Sequence, residues 1–163
     1  MKGTVRPQAD PKSQPQNYRL AAESDTDEIL RFMRQLNTED PGPKPLDEPA
    51  ARAALAQFLR DPSLGRAWLI CDGQTAVGYV ILTLGYSLEF HGRDSFVDEL
   101  FIEAGHRGRG WGRRTMEFVE AEARSLGVRA IHLEVSPANS VAYELYRRSG
   151  FEDRQHHLLT KRI

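Results

Sequence analysis

The spacing of apolar positions divides the chain into helical and strand-like runs. "YRLAA" at 18–22 has the pattern of a short strand. In "SDTDEILRFMRQLN", Ile29, Leu30, Met33 and Leu36 recur at three- and four-residue steps, which places them on one face of a helix with Ser24 or Asp25 as its N-cap. The prolines and glycine of "TEDPGPKPLDE" break that helix. A second begins near Pro49 in "PAARAALAQFLRD", with Asp47 able to cap it. From there the period shortens: "RAWLICDGQTAVGYVILTLGYSLEF" reads as two apolar strands around an Asp72-Gly73 turn. "GRD" at 92–94 is expected to turn the chain again, into a strand that ends at Ile102.

A helix is predicted near 110–126, stopping at Gly127, followed by a strand over 128–135. The unit 95–135 is thus strand, helix, strand, a crossover that makes its two strands parallel and brings their C-terminal ends to one edge of the sheet. Ser136, Pro137 and Asn139 open a last helix, closed by Gly150, and "FEDRQHHLLTKRI" is expected to finish the sheet. Residues 1–17, rich in Pro, Gln, Lys and Ser, predict a loose tail, which leaves 18–163 as a single domain without internal repeats.

Composition narrows the classes. With 40% hydrophobic and 28% charged residues and a net charge of -1, no long-range field favours nucleic acid or a membrane surface. No apolar run reaches the roughly 18 residues that a spanning helix needs, and the N-terminus lacks the apolar core of a signal peptide, so the cytoplasm is the expected compartment. The single Cys71 lies in the apolar run "AWLICD" and reads as core filler.

The chemistry is concentrated in "GHRGRGWGRR" at 105–114, which holds four glycines and four arginines and no carboxylate. Lying between a strand and a helix, it sets the helix's unpaired N–H groups and positive dipole end at the sheet edge. Glycines 108, 110 and 112 remove Cβ atoms that would hold a bulky anion away, and Arg107, Arg109 and Arg113 add charge. A phosphate or pyrophosphate is the ligand this turn suits. Neither the P-loop pattern nor G-x-G-x-x-G is met; R-x-x-G-x-G is, as Arg107, Gly110 and Gly112.

The stretch from Phe96 to Phe151 resembles the core of the GCN5-related N-acetyltransferases (GNAT), closest in motif to the spermidine/spermine-type and general bacterial amine acetyltransferases. The family's R/Q-x-x-G-x-G/A falls on Arg107, Gly110 and Gly112. A second pattern, N-x-x-A-x-x-x-Y-x-x-x-G-F, is met in full by Asn139, Ala142, Tyr146, Gly150 and Phe151. The resemblance implies an α/β (α+β) fold: a mixed, mostly antiparallel twisted sheet with a central parallel pair splayed for acetyl-CoA, flanked by about four helices. It implies that the backbone of Gly108, Arg109, Gly110, Trp111, Gly112 and Arg113 holds the diphosphate of coenzyme A. By the same resemblance Leu100, Phe101 and Ile102 pair with the pantetheine arm, Asn139 meets that arm, and Tyr146 reaches the sulfur. The resemblance therefore implies acetyl-CoA as co-substrate with no metal, and a homodimer is compatible with it.

Acetyl transfer to an amine makes two demands. An ammonium with a pKa near 10 must lose a proton before attack, and a leaving thiolate of pKa about 8.5 must be protonated or held. Tyr146 suits the second task. For the first there are the adjacent carboxylates Asp98 and Glu99, which alternation sends to opposite faces. The spermidine/spermine branch has Glu then Asp at these positions, which ranks Asp98 ahead of Glu99; a β-bulge would reverse that order. Glu39, Asp40, Asp47 and Glu48 in the loop between the first two helices, with Glu89 and His91 at a strand end, hint at a cationic amine acceptor. His106 sits in the anion turn and is expected to assist phosphate binding, and His156 and His157 read as ordinary strand residues. The alternative to an enzyme is a coenzyme-A-binding sensor of the same fold.

Overall fold

The computed structural model describes residues 17–41, 45–161 and 163; the expected N-terminal tail, apart from Asn17, and part of the proline-rich loop lie outside them. Five strands form one sheet in chain order: β1 (Tyr18–Leu20), β2 (Gly65–Asp72), β3 (Thr75–Ser87), β4 (Gly92–Ile102) and β5 (Ala130–Leu133). The first three junctions are antiparallel and β4–β5 is parallel. Among the described residues four α-helices flank it: α1 (Thr26–Glu39), α2 (Glu48–Arg60), α3 (Trp111–Ser125) and α4 (Ser140–Arg148). No helix among the described residues is long and apolar enough to cross a membrane.

Alternation along the strands separates two cores. Ala67, Leu69, Cys71, Tyr79, Ile81 and Phe101 face α1 and α2, where Ile29, Leu30, Phe32 and Leu55 meet them. Trp68, Ile70, Val80, Leu82 and Val97 face α3, whose Trp111, Met116, Phe118, Val119 and Ala123 recur at helical spacing and so form one buried stripe. Tyr18 stacks on Phe118 with ring centroids 4.1 Å apart, and Trp68 meets the same ring edge-on at 5.3 Å. This aromatic knot anchors α3 to the sheet, and through it the turn at the helix's N-terminus.

Several boundaries depart from the sequence reading. Asp72 pairs with Thr75, so the hairpin loop is Gly73 and Gln74 rather than Asp72-Gly73. "GRD" is the start of β4, with Gly92, Arg93 and Asp94 paired to Ser87, Tyr86 and Gly85, and the reversal is made just before it. Asp25 precedes α1, but its carboxylate is held by Arg19 and the Ala22 N–H and caps no helical N–H. Asp47 does cap α2, accepting from the Ala50 N–H at 3.1 Å.

The largest departure is at the C-terminus: none of the described residues beyond Phe151 forms a strand, so His156 and His157 are not strand residues. The segment lacks the alternation that would bury a face. Leu158 and Leu159 are neighbours and would point to opposite sides, and Gln155 has φ of 53°, which breaks an extended run.

Candidate active site

The parallel pair diverges early. β4 and β5 are joined only from Asp94 to Val97 and from Ala130 to Leu133; past Val97 the strands part and leave a cleft. Its walls include Val97, Asp98, Glu99 and Leu100 of β4, Leu133 and Val135, Asn139, Ala142 and Tyr146 of the α4 segment, and Leu36 and Asp40 at the end of α1.

The divergence begins at a β-bulge. Ile81 pairs with Glu99 and the next residue, Leu82, pairs with Val97, so Asp98 is the extra residue. The bulge changes which face follows. Val97 belongs to the α3 core, whereas Glu99, two residues on, accepts a 2.8 Å hydrogen bond from the hydroxyl of Tyr79, a fully buried member of the α1 and α2 core. Burial raises the Glu99 carboxyl to about 7; the Tyr79 hydrogen bond opposes this and the neighbouring Asp98 charge adds to it. Asp98 is exposed at the cleft, and removal from water still pushes its carboxyl above the ordinary value. Tyr79 is itself raised, by burial and then by Glu99, so it stays a donor.

The free edge of β4 can be assigned atom by atom. The Glu103 N–H bonds the Val77 carbonyl at 2.8 Å. Antiparallel ladder bonds alternate, so Phe101 also turns its backbone to β3, while Leu100 and Ile102 present theirs to the cleft. Of the three residues expected to meet an extended amide ligand, two have the free edge; the Phe101 side chain is buried under α1.

After Ile102 the chain makes a 3₁₀ turn at Ala104–His106 and enters the glycine-rich corner. Gly110 is the residue before α3 and has φ of 78°, a conformation that only glycine adopts without strain. Among the described residues no side chain caps the helix, whose first closing bond is Arg114 N–H to the Gly110 carbonyl, so the N–H groups of Trp111, Gly112 and Arg113 precede any intrahelical partner. The Trp111 side chain is in the core and offers only its backbone here. A Cβ on Gly112 would come within 2.9 Å of Leu145, so this glycine lets α4 approach α3. Arg109 and Arg113 are exposed at the corner. Arg107 is engaged elsewhere: its Nε donates to the Ile102 carbonyl at 2.7 Å, its NH2 group lies 2.7 Å from Glu39, and its guanidinium covers the Phe101 ring at 5.3 Å. His106 turns toward the β2–β3 hairpin, with Nε2 3.7 Å from Asp72.

On the opposite wall Asn139 accepts from the Ala142 N–H at 3.0 Å, which caps α4 and leaves its amide N–H₂ as a donor. Tyr146 is half-buried against Phe151, and burial raises its phenol above the ordinary value. The acids between α1 and α2 are mostly committed. Glu39 pairs with Arg107, Glu48 with Arg34, and Asp47 caps a helix; of the four only Asp40 lines the cleft. Glu89 pairs with Arg154, and His91 is exposed. The Tyr79 partner of Glu99 and the Glu39 partner of Arg107 were not found from sequence, since each depends on a contact between distant segments.

Comparison with known proteins decides the family. The family model for the acetyltransferase (GNAT) family matches residues 29–151. The chain belongs to the GNAT family. An integron cassette protein from the mobile metagenome of Cole Harbour Salt Marsh superposes with a TM-score of 0.79 at 35% identity, covering 90% of each chain. A predicted acetyltransferase from Clostridium acetobutylicum, solved with acetyl-CoA, has a TM-score of 0.75 at 19% identity, covering 89% of this chain and 95% of that one. Among curated relatives, an IAA acetyltransferase of Azospirillum brasilense is 34% identical over 77 residues, 47% of this chain and 50% of that protein. The matched part thus spans half of that relative's length. A thialysine N-epsilon-acetyltransferase of Bos taurus is 26% identical over 148 residues, 83% of each chain. The GNAT fold expected from the two motifs is the fold observed, down to the splayed parallel pair.

Proposed function

We propose that this GNAT protein is an N-acetyltransferase that moves an acetyl group from acetyl-CoA to a primary amine within a ternary complex. The observation that carries the reading is the bulge at Asp98. It opens the sheet edge beside a corner of unpaired N–H groups and places a carboxyl of pKa about 7 at the resulting cleft.

The N–H groups at the start of α3, with Arg109 and Arg113, receive the diphosphate. The free N–H groups of Leu100 and Ile102 and the Asn139 amide align the pantetheine arm as an added strand. Glu99 is the base. Part of it is ionised at neutral pH, and it takes a proton from the ammonium, directly or through a water. The amine nitrogen then attacks the thioester carbon and the C–S bond breaks. Tyr146, whose phenol burial raises, gives its proton to the departing thiolate and is reprotonated by the second proton that the acetylated nitrogen loses, while Glu99 returns the first to solvent. The bulge thus reverses the order in which the sequence alone ranked Asp98 and Glu99. Asp40, Asp98 and Glu99 make the α1 side of the cleft acidic, which favours a cationic acceptor. The thialysine-acetylating relative supports an amine of that kind.

Thiol release from acetyl-CoA, assayed with polyamines, aminoglycosides, amino acids and lysine peptides, tests the reading. Acceptor-dependent release that Glu99→Gln abolishes is the expected result. Binding of coenzyme A without release for any acceptor would instead favour the sensor.

A further inference from the structure

Arg107 occupies the first position of the glycine-rich motif, yet its guanidinium is engaged by the end of β4 and by α1. Nε donates to the carbonyl of Ile102, five residues earlier, which closes the chain from 102 to 107 into a loop. The NH2 group meets Glu39, the last residue of α1, and the planar group lies over Phe101, which is 3% exposed. Ile102 is one of the two residues whose backbone faces the cleft, so Arg107 already occupies one of the acceptors on that edge. A second bridge nearby, Arg31 to Glu103 at 2.7 Å, joins the same helix to the same strand end. α1 is therefore tied to the beginning of the corner at two points.

We propose that Glu39 and Arg107 are a positioning pair: Glu39 holds the Arg107 guanidinium on the Ile102 carbonyl, which pre-forms the turn, and Arg107 itself does not serve as a ligand of the diphosphate. The proposal rests on the coenzyme A reading above. The two roles predict opposite signs. If Arg107 were a diphosphate ligand, neutralising its carboxylate competitor would free the cation and tighten binding. As a positioning pair, the same change releases the Ile102 carbonyl, loosens the turn and weakens binding.

The test is calorimetric titration of the full chain with coenzyme A, for wild type, Glu39→Gln, Arg107→Ala and the double variant. Glu39→Gln is expected to weaken binding about two- to fivefold, as for a half-exposed ion pair, and to have no effect in the Arg107→Ala background. Unchanged or tighter binding in Glu39→Gln overturns the proposal, and so does an equal loss in both backgrounds, because Glu39 would then act independently of Arg107. If Arg107→Ala does not fold, Arg107→Lys replaces it, since lysine keeps the charge but cannot hold the carbonyl and the carboxylate with one planar fork. Amide exchange of the unliganded protein supplies a readout free of coenzyme A. Faster exchange over residues 103–110 in Glu39→Gln, absent in the double variant relative to its parent, supports the pair; no change overturns it. Failure of wild type to bind coenzyme A contradicts the proposed function and leaves this second readout standing.

Discussion

The two sides of the cleft are built differently. The anion corner is made of consecutive residues: a strand ends, two left-handed glycines turn the chain, and a helix begins with its N–H groups open. The carboxyl side is made of residues far apart in sequence. Glu99 faces the cleft because the register between β3 and β4 slips by one residue, and its pKa is set by burial beside Tyr79, twenty positions away. Backbone geometry that is local tolerates changes elsewhere, whereas a site made by register depends on the whole sheet. Substitutions at the corner should therefore act on coenzyme A binding, and substitutions at the bulge on the chemical step.

The largest effect is expected from Glu99→Gln, a fall in kcat of about a hundredfold or more with little change in coenzyme A affinity. Wild-type kcat/KM should rise with pH through a midpoint near 7, and that limb should vanish in the variant. A limb that persists would move the base elsewhere. Tyr146→Phe should lower kcat by about tenfold or more while affinity for coenzyme A is nearly kept; a loss confined to affinity removes Tyr146 from the acid role. Gly110→Val, at φ of 78°, should do the reverse, weakening coenzyme A about tenfold because a β-branched residue strains the turn. Asp98→Asn is expected to change kcat only about two- to threefold, as suits a neighbouring charge rather than the base. An Asp98 effect larger than the Glu99 effect would restore the order read from sequence.

A last prediction concerns stability rather than activity. Glu99 has an ordinary pKa of 4.5 when unfolded and about 7 when folded, so the folded state holds the proton more tightly. Its contribution is full below pH 4.5 and is lost as pH rises to 7, because the unfolded chain ionises first. Thermal melts should show wild type losing stability across that window relative to Glu99→Gln, by on the order of 2 kcal/mol, with no further divergence above it. A difference that is flat from pH 4 to 8 would contradict the raised carboxyl.

What was legible in the sequence follows the same division. Gly108 and Gly110 could be read because the left-handed conformations they permit are fixed within a few residues, whereas Gly112, read as making room for an anion, makes room for Leu145 of α4. The crossover from β4 through α3 to β5 was legible from period and punctuation. The bulge was not, because Asp98 and Glu99 look alike until Ile81 and Leu82 supply a register. Nor was the Arg107 contact, since its partner Glu39 lies 68 positions earlier and looked like a solvated loop charge. At the C-terminus the expected closing strand does not form among the described residues, and the polar run from Asp153 to His157 offers no buried face to drive it.

The most direct measurement is a calorimetric titration of coenzyme A into wild type and Gly110→Val. Saturable binding by wild type, with a dissociation constant somewhere between about 1 µM and 1 mM and clearly weakened in the variant, is the predicted result. No heat of binding by wild type at millimolar coenzyme A, or equal binding by both proteins, would contradict the central claim that the glycine corner holds the diphosphate.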